Sequence, residues 1–150
     1  MALTKAFHWQ QEDYFPYMLK NNVKTSVLAL EYLVDDIHEG KDATIDKLLC
    51  HQDTDKLLYE IISLMSSDNL RVSGNSAYVF GTIAESEEGI ERIMELLNTE
   101  NQSQTNPDSE NFLLYLVNLL RSTDYECLMN AAGTIGTIVI IIIIILILFV

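Results

Sequence analysis

Basic residues are scarce in this chain. Nine lysines and arginines stand against 22 aspartates and glutamates, a formal charge of −13 over 150 residues. No basic patch forms anywhere, which argues against a nucleic-acid partner. Cysteine occurs twice, at Cys50 and Cys127, 77 positions apart and with no CxxC pair. That usage excludes a disulfide framework and a cysteine zinc site, and fits a reduced, cytoplasmic chain. The three histidines, His8, His38 and His51, are far apart or isolated, and no HExxH motif occurs. Cys50 and His51 are adjacent, so their side chains diverge on a helix or turn rather than forming a nucleophile–base pair. The six glycines build no phosphate-cradling loop. These absences predict no enzyme, no metal, no cofactor and no small-molecule substrate. Met1–Lys20 contains charges and Pro16 and lacks the apolar core of a secretory signal.

What the chain does have is an internal repeat. Leu57–Ile83 lies on Phe112–Ile138 at an offset of 55 without a gap, and eight of 27 columns are identical. They are Leu58/Leu113, Leu64/Leu119, Ser67/Ser122, Asn75/Asn130, Ala77/Ala132, Gly81/Gly136, Thr82/Thr137 and Ile83/Ile138. Most other columns keep their apolar or polar character. Each copy opens with a leucine-rich amphipathic helix, Leu57–Met65 or Phe112–Leu120. A polar turn follows, Ser66–Asn69 or Arg121–Asp124, rich in side chains that cap helix N-termini. A short helical piece and a longer helix from Asn75 or Asn130 complete the unit, with Gly74 read as a break between them. The longer helix is apolar or small on two faces, which predicts a helix sandwiched between neighbours. Gly81 weakens that helix by about 1 kcal/mol relative to Ala, so its return at Gly136 predicts close helix–helix approach. Repeats of this kind mean stacked helical units.

Upstream, Val27, Leu30, Val34 and Ile37 make one face of a helix capped by Asn22 and stopped at Gly40. It reads as a degraded copy, Thr25–Val34 lying on Asn75–Ala84 at an offset of 50. Asp42–Thr44 starts a short helix, Asp53-Thr54 the next, and Ser86 caps a helix carrying Ile90, Ile93, Met94 and Leu97. Residues 3–21 hold Phe7, Trp9, Tyr14, Phe15 and Tyr17, read as a terminal piece covering the first layer, since end units of repeat arrays cap. Thr99–Glu110 is polar and low in complexity, and reads as an inserted surface loop.

The segments SSDNLRVSGNSAYVFGTIAE and STDYECLMNAAGTIGTI resemble armadillo repeats, with the likeness running over roughly residues 22–138. The resemblance implies an all-α, right-handed armadillo-like solenoid of about two and a half units with an apolar C-terminal helix. It also implies a fragment or truncated form of a longer solenoid, and a non-catalytic scaffold that binds a protein or an extended peptide. In the nuclear-import adaptors of that family, a Trp and an Asn one turn apart hold a basic peptide. The matching positions here are Tyr78 and Thr82, Gly133 and Thr137, and Leu28 and Tyr32, so that pair is absent. The groove the resemblance implies is lined instead by Glu31, Tyr32, Asp35, Tyr78, Thr82 and Glu85.

After Ile138 the repeat pattern fails. Val139–Val150 reads VIIIIIILILFV, and from Ala131 to Val150 there are 20 residues without charge. As a helix that run spans about 30 Å, the thickness of a bilayer core. One reading is a tail anchor formed by 131–150 with the repeat domain as its cytosolic head. A second is an aberrant end to a truncated or mis-spliced message, and a third is a buried helix whose partner is not present. Asp124 and Glu126 flank the run and no Lys or Arg follows Arg121, against the usual cationic bias of anchors.

Overall fold

The computed structural model describes residues 13–20, 22–100 and 112–148. Its elements are α1 (Phe15–Met18), α2 (Val23–Leu49), α3 (Thr54–Leu64), α4 (Leu70–Ala84), α5 (Glu87–Glu100), α6 (Phe112–Leu119) and α7 (Tyr125–Leu148). The described residues are helical throughout, with no strand among them.

The starts of these helices follow the capping chemistry. The Asn22 and Asn69 side chains accept from the backbone N–H groups of Lys24 and Arg71, each at 3.1 Å. Ser86 accepts from the Gly89 N–H at 3.0 Å, and Asp124 from the Cys127 N–H at 2.8 Å. Gly40 breaks α2 locally (φ −164°, ψ 77°), yet the helix resumes at once. The Thr44 hydroxyl spans the break, donating to the carbonyls of Asp36 at 3.0 Å and Gly40 at 2.9 Å. The predicted stop at Gly40 is therefore a kink.

Three long helices run parallel. Between α2 and α4, Arg71 meets Glu31 at 3.3 Å, the Tyr78 ring lies 5.4 Å from the His38 ring, and Glu85 meets Lys41 at 2.9 Å. These contacts climb both helices together, 40 to 44 positions apart. Between α4 and α7, the Asn130 amide donates to the Gly74 carbonyl at 3.2 Å and the Thr134 hydroxyl to the Ala77 carbonyl at 2.7 Å. Those pairs are 56 and 57 positions apart, within two residues of the offset of 55 in the sequence repeat. The repeated long helices thus lie against one another level by level. The α2 copy stands in a different register from the offset of 50 read in the sequence.

Helix α4 is the middle layer. Val72, Ala77, Val79, Phe80, Ile83 and Ala84 are all buried, as the two apolar faces predicted. Burying side chains of the Val, Ile or Phe size contributes roughly 1.5–3 kcal/mol each. Gly81 is where α7 comes closest: a Cβ there would lie 2.4 Å from Thr134 Oγ1 and 3.2 Å from Thr134 Cα. Gly74 is no break. It sits inside the continuous helix α4, and a Cβ on it would lie 3.2 Å from Cys127 Cα. Hydroxyls tie the layers to buried carbonyls: Ser26 to Met18 at 2.7 Å, Ser76 to Ile61, and Thr134 to Ala77. A buried carbonyl left without its donor costs about 1–3 kcal/mol.

Helix α1 covers the α2 end. Phe15 and Met18 are fully buried, and the Tyr14 and Tyr32 rings stack at 6.2 Å. The expected aromatic cap is thus present for Tyr14 and Phe15; Phe7 and Trp9 lie outside the described residues. Thr99 and Glu100 belong to α5, and the rest of the expected loop lies outside the described residues. Cys127 is buried and Cys50 exposed.

Among the described residues no helix is long and apolar enough to cross a membrane. The apolar C-terminal helix exists, but its early turns belong to the protein core. Ala131, Thr134 and Ile138 are buried, and Thr134 packs against α4 at Ala77 and Gly81. Counting uncharged residues had joined a packed segment to a protruding one. The span expected of 131–150 is not found among the described residues.

Candidate functional site

The parallel arrangement of α2, α4 and α7 leaves a groove along the C-terminal halves of α2 and α4 and the first half of α7. One cavity of about 280 Å³ lies between α2 and α4, lined by Lys41, Asp42, Ile45, Asp46, Thr82, Glu85 and Ser86. A second, of about 140 Å³, lies between α4 and α7, lined by Tyr78, Gly81, Thr82, Glu85, Met129, Asn130, Gly133, Thr134 and Thr137. Thr82 and Glu85 line both, so the two cavities adjoin across the face of α4.

Local sequence explains the groove. Gly81 and Gly133 carry no side chain to fill the seam. Thr82 turns its hydroxyl back onto the Tyr78 carbonyl at 2.9 Å, which satisfies it within the helix. Thr134 does the same with Asn130 at 2.8 Å while reaching Ala77, and Thr137 bonds to Gly133 at 3.1 Å. The floor is therefore made of small residues and self-satisfied hydroxyls. The rim is charged. Glu85 and Lys41 pair at 2.9 Å with both side chains half exposed. That hydrogen bond raises the Lys41 ammonium above its ordinary range. Asp42 and Asp46 extend the acidic side along α2.

Of the six residues expected to line a partner groove, Tyr78, Thr82 and Glu85 come together in it. Gly133 and Thr137, matched to Tyr78 and Thr82 through the repeat, stand opposite them across the same cavity. Glu31 lies nearer the N-terminal ends, paired with Arg71. Asp35 is exposed on the same row of α2, between Glu31 and His38. Tyr32 points elsewhere, against Tyr14 under the α1 cap. In the position matched to Tyr78 the structure places His38 rather than Leu28.

Sequence reasoning did not single out Lys41, Asp42, Asp46 or Asn130. Asn130 was visible as an identical repeat column. The α2 residues were hidden by the register of the degraded copy, which shares almost no identities with α4.

A second hollow, about 350 Å³, lies between His51, Thr54, Glu88, Glu91, Arg92 and Glu95. Arg92 bridges Asp55 at 2.7 Å and Glu95 at 2.9 Å, and the Glu95 hydrogen bond raises its pKa. Among the described residues no group of three or more His, Cys, Asp or Glu side chains could hold a metal.

The chain matches no family model, no curated protein and no solved structure. What the site can do rests on its own geometry. It offers two adjoining cavities with a small-residue floor and a mainly acidic rim.

Proposed function

We propose that this chain is a non-catalytic protein-interaction module of the armadillo-like type, which holds an extended segment of a partner protein across α2, α4 and α7. The observation that carries the reading is the adjoining of two cavities through Thr82 and Glu85. A trough that crosses successive parallel helices meets a peptide backbone at regular intervals. The level-by-level pairing of α4 with α7 close to the repeat spacing supports the solenoid reading. Glu85, Asp42 and Asp46 favour lysines or arginines on the bound segment, and Lys41 offers a site for its carbonyls or a carboxylate. The overall charge of −13 draws such segments in from a distance and weakens with salt.

The test is an array of extended peptides graded in charge, with affinity measured by fluorescence anisotropy. Basic members bind best, and Glu85→Lys weakens them by at least about tenfold, the scale of losing a charge partner at an interface. Glu91→Lys on α5, outside the trough, makes the same charge change and leaves the affinity largely intact. Equal binding of acidic and basic peptides, or equal loss with both variants, refutes the reading.

A further inference from the structure

The outer face of α7 is the counterpart of a face that is already occupied on α4. On α4, the row Leu70, Gly74, Ala77, Gly81 and Ala84 turns toward α7, and Gly74, Ala77 and Gly81 touch it directly. The repeat maps this row onto Tyr125, Met129, Ala132, Gly136 and Val139. On α7 the same row is open. Tyr125 is 74% exposed, Met129 48% and Val139 47%, and a Cβ on Gly136 would meet nothing within 4 Å.

The row continues to Ile143, which is 48% exposed. Its spacing, 125, 129, 132, 136, 139 and 143, alternates four and three residues. That is the heptad pattern of a helix seam. All but three of the large apolar side chains exposed in the described structure lie between Leu113 and Ile147.

We propose that this face binds a second copy of the chain, the two α7 helices packing antiparallel about a two-fold axis. Three observations select that occupant. First, the opposite end offers no matching row: α1 packs over α2 with Phe15 and Met18 fully buried, and among the described residues of α2 only Val23 is a large exposed apolar side chain. An isologous contact is the closed alternative. Second, a chain of charge −13 repels its own copies, and α7 carries no charged residue after Glu126. This is the face where two copies approach without like-charge cost. Third, the face is broadly apolar: seven large side chains of α7, from Tyr125 to Ile147, are between 47% and 74% exposed.

The geometry fixes the register. Gly136 lies in the middle of the open row, and a Cβ on it would meet nothing within 4 Å, so the antiparallel helices cross there. With no side chain there, the backbones approach closely. Met129 of one copy then faces Ile143 of the other.

The experiment uses the full chain without detergent, carrying Cys50→Ser to remove the exposed thiol. Sedimentation equilibrium should give twice the chain mass of 17.0 kDa. Gly136→Arg sets two cations against each other at the axis and should raise the dissociation constant at least about tenfold. Its open surroundings leave the fold intact, checked by circular dichroism. Met129→Cys with Ile143→Cys should give covalent dimers on oxidation, and Met129→Cys alone should not. A monomer at every concentration, cross-linking by Met129→Cys alone, no effect of Gly136→Arg, or monomers that move onto phosphatidylcholine vesicles would each overturn the proposal.

Discussion

Gly81 and Gly136 occupy the same column of the repeat, yet adding one methyl group to each should change stability in opposite directions. At Gly81 the new Cβ would lie 2.4 Å from Thr134 Oγ1, and 3.2 Å from both Thr134 Cα and Thr134 Cβ. The hydroxyl has little freedom to move, because it donates to the Ala77 carbonyl at 2.7 Å. Rotating it away gives up that hydrogen bond between the helices, and keeping it forces α7 outward. Overpacking of this kind costs about 1–3 kcal/mol, against a gain of about 1 kcal/mol in helix propensity for Gly to Ala. Gly81→Ala should therefore come out neutral to destabilising by about 2 kcal/mol, and Gly81→Leu worse. At Gly136 nothing stands within 4 Å, so the propensity gain survives and Gly136→Ala should stabilise by about 0.5–1 kcal/mol. Thermal unfolding of dilute protein by far-UV circular dichroism measures both. For a chain of this length each kcal/mol moves the Tm by about 2–4 °C. The double variant Gly81→Ala/Thr134→Ala separates the causes: it should be less unstable than the sum of its parts, since removing Oγ1 relieves the contact. Equal stabilisation at both glycines would mean that α4 and α7 are not packed here.

Three further outcomes follow from the same contacts. Ser76→Ala should cost about 1–3 kcal/mol in denaturant unfolding, because the Ile61 carbonyl loses its buried donor. Lys41→Ala should change stability by less than about 1 kcal/mol, since the Lys41–Glu85 pair is half exposed; a larger loss would mean the rim is structural. The Tyr14 hydroxyl is held protonated above its ordinary range, first by burial and then by its 2.8 Å hydrogen bond to Asp36. An acid raised on folding stabilises below its unfolded pKa and loses that contribution as pH rises beyond it. Stability should therefore fall from about pH 10 upward, and Tyr14→Phe should flatten that fall in alkaline melts; an unchanged slope would assign it elsewhere.

Much of this molecule is legible in its residues, for definable reasons. Helix starts are local events, so Asn22, Asn69, Ser86 and Asp124 announce them directly. Gly81 foretold a close approach because small residues recur where backbones meet, whereas a Cβ on its repeat partner Gly136 would meet nothing within 4 Å. Three readings failed where tertiary contacts decide. Gly74 reads as a breaker until Cys127 is placed against it. Gly40 reads as a stop until Thr44 is seen satisfying the carbonyls across it. The uncharged run from Ala131 reads as a bilayer span until Ala131, Thr134 and Ile138 are found buried, Thr134 against α4. Register was the remaining difficulty. Apolar periodicity located α2 but could not choose between offsets, since sliding by about two turns restores the same face. Only the contacts of Glu31, His38 and Lys41 with α4 fix it, and with it the α2 side of the trough.

The most direct test of the trough is a backbone NMR titration of the full chain with the tightest basic peptide from the array. The account predicts shift changes concentrated at Asp46, Thr82, Glu85, Gly133 and Thr137, saturating together with one dissociation constant. Changes centred instead on His51, Glu91 and Arg92, or spread evenly over the acidic surface, would contradict it.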